Sequence, residues 1–186
     1  MPTPSRTSQQ QIVAAGRAIV ESEGIDGLTM QKVAVTVGVQ APSLYKRVAG
    51  RGDLVRLIAE AVLSDLRDSL ASVMTGVDPR ADLRAMAHAL RDFAVRHPGA
   101  YRLVFAPLSE DWAPQHEALV AAIQPVLRTT EALVGPELAL DAARLVTAWA
   151  HGFLSMELAG AFRMSGDLDK SFDFGVDRLT ASLAEG

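Results

Sequence analysis

Residues 28–54, LTMQKVAVTVGVQAPSLYKRVAGRGDL, constrain the fold more than any other part of the chain. They hold two short runs of apolar residues at helical spacing, and Gly38 between them keeps the runs from merging into one helix. Thr29 stands where a helix N-cap is needed, and Val33, Ala34 and Val37 repeat on one inward face. The second run is expected as a short helix over residues 41–48, with Pro42 tolerated in its first turn. It buries Leu44 and Val48 and turns Ser43, Lys46 and Arg47 outward. Gly50 closes it, and Asp53 starts a longer helix with Leu54, Leu57, Ile58 and Ala61 on one face. A short helix with a polar, cationic outer side suits the major groove, where base edges present distinct donor and acceptor patterns. The same shape also serves elsewhere as a plain packing or protein-binding unit.

The charge distribution weighs between these readings. The 186-residue chain has a net charge of −4. Residues 1–51, however, hold six basic groups (Arg6, Arg17, Lys32, Lys46, Arg47, Arg51) against three acids (Glu21, Glu23, Asp26). The remaining residues carry 12 basic and 19 acidic groups. A basic head on an acidic body meets phosphates locally and keeps nonspecific attraction modest.

The rest of the chain also reads as helix, so the expected class is all-α. A first helix over residues 7–22 uses Ile12, Ala15, Gly16 and Ile19 and stops at Glu23-Gly24. Later helices are expected from Pro79 to Arg96, over residues 101–105, over 115–134 with a kink at Pro125, over 136–163, and over 167–184. Residues 107–114 read as a loop. The expected organisation is a DNA-binding domain over residues 1–54 and a helical bundle over 55–186. The absence of cysteine excludes disulfides, thiolate metal sites and cysteine nucleophiles. No run approaches the ~18 apolar residues of a membrane span, and the segment Met-Pro-Thr-Pro-Ser-Arg lacks the apolar core of a leader. Both point to the cytoplasm.

Over residues 7–60 the chain resembles the TetR family. The resemblance rests on Thr29 and Ala34 in the second helix, Gly38-Val39 at the turn, Leu44-Tyr45 in the third, and Asp53-Leu54 at the start of the fourth. It implies a dimeric regulator, usually a repressor, that binds a palindromic double-stranded DNA operator and lets go when a small molecule occupies the second domain. It places Thr29 and Tyr45 on phosphates and Gln31, Ala41, Pro42, Ser43, Lys46 and Arg47 at or beside base edges. Arg51 matches the usual lysine at the head of the fourth helix, where phosphate binding is expected. Arg47 stands where histidine is frequent and Val48 where phenylalanine is frequent. Arg47 fits either bidentate guanine recognition or a phosphate contact.

The resemblance makes the region after residue 55 a ligand-sensing and dimerising bundle. Residues 136–163 are apolar on nearly every side, through Leu138, Leu140, Leu145, Val146, Trp149, Phe153, Leu154, Met156, Leu158 and Phe162. Such a helix is buried on more than one side. The last helix adds Leu168, Phe172, Val176, Leu179 and Leu183, with Gly175 leaving room for a close neighbour. These two helices are expected to form a homodimer seam. Trp149-Ala150-His151-Gly152 resembles the Trp/His-Gly (WHG) signature of one group of TetR-like C-terminal domains. His151 shares a polar stripe with Asp141, Arg144 and Ser155, and reads either as a structural group or as a ligand contact. Phe93, Tyr101, Phe105, Trp112, Ile123, Trp149, His151 and Phe153 are the candidates to line a site for an apolar or aromatic effector.

Nothing calls for a cofactor, a metal or catalysis. The four histidines are scattered, and no phosphate-binding glycine loop or nucleophile elbow occurs. Asp167, Asp169, Asp173 and Asp177 read as a solvated helix face.

Overall fold

The computed structural model describes residues 7–184, and they form helices with no strand among them. In chain order these are α1 (Gln9–Gly27), α2 (Met30–Val37), α3 (Ala41–Leu44), α4 (Arg51–Ser72), α5 (Pro79–Arg96), α6 (Pro98–Phe105), α7 (His116–Val134), α8 (Ala139–Leu158) and α9 (Leu168–Ala184). A short 3-10 turn, Glu110–Trp112, lies between α6 and α7 within the expected loop. Arg6 and the segment before it lie outside the described residues. The chain divides into two compact units. The first holds the described residues up to Asp65 together with His97–Leu119; the second holds Leu66–Arg96 and the described residues from Val120 onward.

In the first unit, α1 opens on a reciprocal cap: Gln11 N donates to Ser8 Oγ and Ser8 N donates to Gln11 Oε1. It does not stop at Glu23-Gly24. Gly24 leaves helical geometry (φ 73°, ψ 178°), yet a further turn carries the helix to Gly27. Ile12, Leu28, Val33, Leu44, Leu54 and Ile58 are fully enclosed and form the core of this unit. Val37, expected inside, is only half buried. The helix α6 begins three residues earlier than expected, and its N-terminus is capped from a distance. Gly99 N and Ala100 N each donate to the Glu21 carboxylate at 3.0 Å. That carboxylate satisfies orphan amides where His97, at the N-cap position, makes no side-chain cap.

In the second unit, α5 packs against α8 and α9 around Phe172 and Leu154, both fully buried. Arg91 on α5 makes a bidentate pair with Glu157 on α8, at 2.9 and 2.6 Å. A third contact runs from Arg91 to Asp169 at 2.8 Å. The acidic row of α9 is therefore not simply solvated: Arg84 pairs with Asp173 and Asp177, and His88 Nε2 lies 3.1 Å from Asp173. A polar stripe on one helix cannot reveal that cations of α5 will face it. The expected helix over 136–163 is shortened at both ends to Ala139–Leu158. Gly160, at φ 61°, turns the chain away, and Phe162 lies past the helix end with its ring 4.9 Å from that of Phe153.

Candidate nucleic-acid interface

Thr29 caps α2, its Oγ1 accepting from Lys32 N at 3.2 Å. At the other end Gly38 adopts the left-handed conformation (φ 72°, ψ 34°), which a side chain at that position resists. Gly38 N donates to Val35 O at 3.1 Å and Val39 N to Ala34 O at 2.9 Å, so the last carbonyls of α2 are closed by a Schellman pair. This turn sets the direction in which α3 leaves.

The helix α3 is shorter than expected. It spans Ala41–Leu44, and Tyr45, Lys46 and Arg47 follow as a turn, with Arg47 N and Val48 N both donating to Leu44 O. Pro42 supplies no backbone donor at the start, and the tight bond from Arg47 ends regular winding within a few residues. The buried anchors Leu44 and Val48 nevertheless stand where expected. Gln31, Pro42, Ser43, Tyr45, Lys46 and Arg47 are exposed, and Ala41 is half buried. Gln9 Nε2 on α1 donates to Arg47 O at 3.2 Å, steadying the far end of the turn.

An open hollow of about 590 Å³ lies on this surface, lined among others by Val39, Gln40, Ser43, Lys46 and Arg47. Val35 also lines it and is 71% exposed, which is unusual for a β-branched apolar residue. Val35, Val39 and Gln40 were not among the expected contacts. The signal for Val35 was available: it sits on the face of α2 opposite the inward pair Val33 and Ala34.

Pairing redistributes the positive charge of this region. Arg17 is neutralised by Asp65 and Lys32 by Glu23. Lys46 makes no ion pair among the described residues. Arg51, expected at a phosphate, donates through Nε to Leu28 O and through Nη2 to Ile25 O, each at 2.8 Å. Asp53 accepts from Ala49 N at 2.8 Å, and that bond holds its carboxyl below the usual aspartate range.

The expected effector-site residues fall in different places. Tyr101 is buried in α6, its ring centroid 4.9 Å from that of Phe105 with the rings tilted by 46°, in the first unit. Trp112, also there, lies over Arg51. Phe93, Ile123, Trp149, His151 and Phe153 belong to the second unit. Trp149 and Phe153 join Phe172 in one aromatic cluster, with ring centroids 5.1–5.9 Å apart. His151 Nε2 lies 3.4 Å from Ser155 Oγ, and burial pushes its pKa down. Arg144 pairs with Asp141 at 3.4 Å on the same stripe. No helix of the described residues is long and apolar enough to cross a membrane.

A family profile described as the tetracyclin repressor-like C-terminal domain matches residues 83–179. An uncharacterised HTH-type transcriptional regulator of Mycobacterium tuberculosis is 31% identical over 97% of this chain and 83% of its own length. An HTH-type transcriptional repressor of Streptomyces coeruleorubidus is 30% identical over 75% of this chain and 52% of its own. Among solved structures, TetR of Acinetobacter baumannii in complex with minocycline aligns with a TM-score of 0.73 at 24% identity, over 96% of this chain and 97% of that one. BioQ with its natural double-stranded DNA operator aligns at 0.72 and 24%, over 97% and 99%. The structural matches establish a shared fold.

Proposed function

The chain belongs to the TetR family and is a helix-turn-helix transcriptional regulator; we propose that it works as a ligand-responsive repressor, gripping a palindromic operator as a homodimer in the cytoplasm. The observation that carries this reading is the exposed set Ser43, Tyr45, Lys46 and Arg47, held on buried Leu44 and Val48 beyond the Gly38 turn. Two such surfaces in a dimer, about 34 Å apart, reach successive major grooves of one DNA face. Thr29 and Tyr45 are assigned to phosphates. Gln31, Ala41, Pro42, Ser43, Lys46 and Arg47 are assigned to the base-edge side.

Residues 1–54 act as the DNA-binding domain and 55–186 as the sensing and dimerising one. The tetrapeptide Trp149-Ala150-His151-Gly152 supports placing the second domain in the WHG group. An apolar or aromatic effector suits the aromatic residues there, Trp149 and Phe153 above all. It acts only to the extent that it binds the released conformation more tightly than the DNA-bound one.

The test is fluorescence anisotropy with DNA flanking the gene, titrated with salt. The expected result is affinity well above that for random duplex, falling linearly on a log–log salt plot. Equal affinity for flanking and random DNA refutes the operator reading.

A further inference from the structure

Arg51 heads α4, yet its guanidinium turns back into the protein. Its Nε and Nη2 bond the carbonyls of Leu28 and Ile25. Ile25 belongs to the last turn of α1, and Leu28 immediately precedes Thr29, the cap of α2. Arg51 therefore bridges the corner at which the chain passes from α1 into α2. Ile25 O also accepts from Leu28 N at 3.2 Å, so the planar fork of Arg51 adds a second bond at that carbonyl and ties it to the carbonyl of Leu28 three residues on.

The other face of this arrangement is an indole. The Trp112 ring centroid lies 4.8 Å from Arg51 Cζ, within cation–π range. Trp112 also covers the next residue so closely that a Cβ on Gly52 would stand 2.3 Å from its Nε1. Only glycine at 52 admits the ring in this position. Nearby, Gln115 N donates to Glu60 Oε1 at 3.1 Å, and Glu21 caps α6. The segment from α6 to Gln115 is thus fastened to α1 and α4 at three points, and Trp112 is the one that reaches the corner.

We propose that Arg51 and Trp112 are a positioning pair for the DNA-reading head: Trp112 presses the guanidinium onto the α1–α2 corner, and the corner fixes the angle at which α2 and α3 are presented. Arg51 acts on DNA through α2 rather than by holding a phosphate. Displacement of the segment after α6 loosens the corner through the same stack. The inference rests on α2 and α3 being the DNA-binding elements.

The experiment measures affinity for flanking and random duplex, with salt titration, for Arg51→Lys, Arg51→Gln, Trp112→Phe, Trp112→Ala and the Arg51→Lys/Trp112→Ala double variant. Lysine keeps the charge but has neither the fork nor the stacking plane. Expected are losses of about tenfold in specific affinity for Arg51→Lys and for Trp112→Ala. Trp112→Phe retains most of the affinity, and the double variant is no worse than either single one. The salt slope stays at the wild-type value in Arg51→Gln. Retention of affinity in Arg51→Lys, or a salt slope shallower by about 0.9 in Arg51→Gln, means Arg51 holds a phosphate and overturns the proposal. So does full affinity in Trp112→Ala. A wild-type protein that does not prefer flanking DNA defeats the functional reading instead. A DNA-free readout guards against misfolded variants. In a Trp149→Phe background Trp112 is the remaining tryptophan, and Arg51→Lys should shift its emission; an unchanged spectrum overturns the stack.

Discussion

The ring of Trp149 on α8 occupies the space a side chain on Gly175 of α9 would need. A Cβ there would lie 2.1 Å from Cζ2 of the indole. The atoms facing it belong to a rigid ring already packed against Phe153 and Phe172, so no flexible tip yields. Gly175→Ala should destabilise the protein by about 1–3 kcal/mol, the usual cost of overpacking. Chemical denaturation is the measurement, and an unchanged midpoint means that α8 and α9 pack differently.

Asp82 gives the second unit a pH dependence. It is buried, and it accepts from Thr75 N, Thr75 Oγ1 and Gly76 N, each at 2.8 Å. The Thr75 amide contributes most to holding its carboxyl below the usual value, and burial partly opposes it. A depressed folded pKa contributes stability that is complete above the unfolded value, about 3.9, and is lost as pH falls through the folded one. Unfolding free energy should therefore drop below about pH 4 with a steeper slope than in Asp82→Asn. The variant itself should lose about 1–3 kcal/mol at pH 7, because an amide cannot accept all three bonds. Parallel pH profiles for the two proteins would rule Asp82 out as the titrating group.

At the DNA surface, phosphate and base contacts separate by what they do to random sequence. Tyr45→Phe should weaken flanking and random duplex alike. Lys46→Ala and Arg47→Ala should instead narrow the gap between them, each removing about 1–3 kcal/mol of discrimination if it meets a base edge. Equal losses on both DNAs for Lys46 and Arg47 would move them to the backbone.

What could be read from sequence was what depends on near neighbours. The Thr29 cap, the left-handed turn at Gly38 and the anchors Leu44 and Val48 follow from spacings of a few residues, and each stands where expected. What could not be read depends on partners far along the chain. Arg51 meets carbonyls 23 and 26 residues earlier, and Trp112 lies over it rather than beside the other aromatic candidates. Summed charge likewise hid the pairing of Arg17 with Asp65 and of Lys32 with Glu23. Periodicity identifies a face that needs burial but does not say what covers it. For the same reason the acids of α9 looked solvated, although α5 brings Arg84, His88 and Arg91 to meet them.

That gap matters most for the proposed homodimer. Leu145 and Met156 on α8 remain 49% and 47% exposed, and Phe174 on α9 remains 64% exposed, although these helices bury their other faces on α5. Leu138, just before α8, Leu145, Gly152 and Met156 follow one another at helical spacing, and all four are exposed. An apolar stripe of this kind is where the homodimer proposed above would form its isologous seam. Leu145→Glu and Phe174→Glu place charge where two copies would meet, yet both positions are open in the single chain, so folding should persist. Each variant should shift the mass in multi-angle light scattering from dimer to monomer. Operator affinity should then collapse by about a hundredfold or more, because each half-site loses its tethered partner. A Leu145→Glu protein that stays dimeric and keeps its operator affinity would place the seam elsewhere.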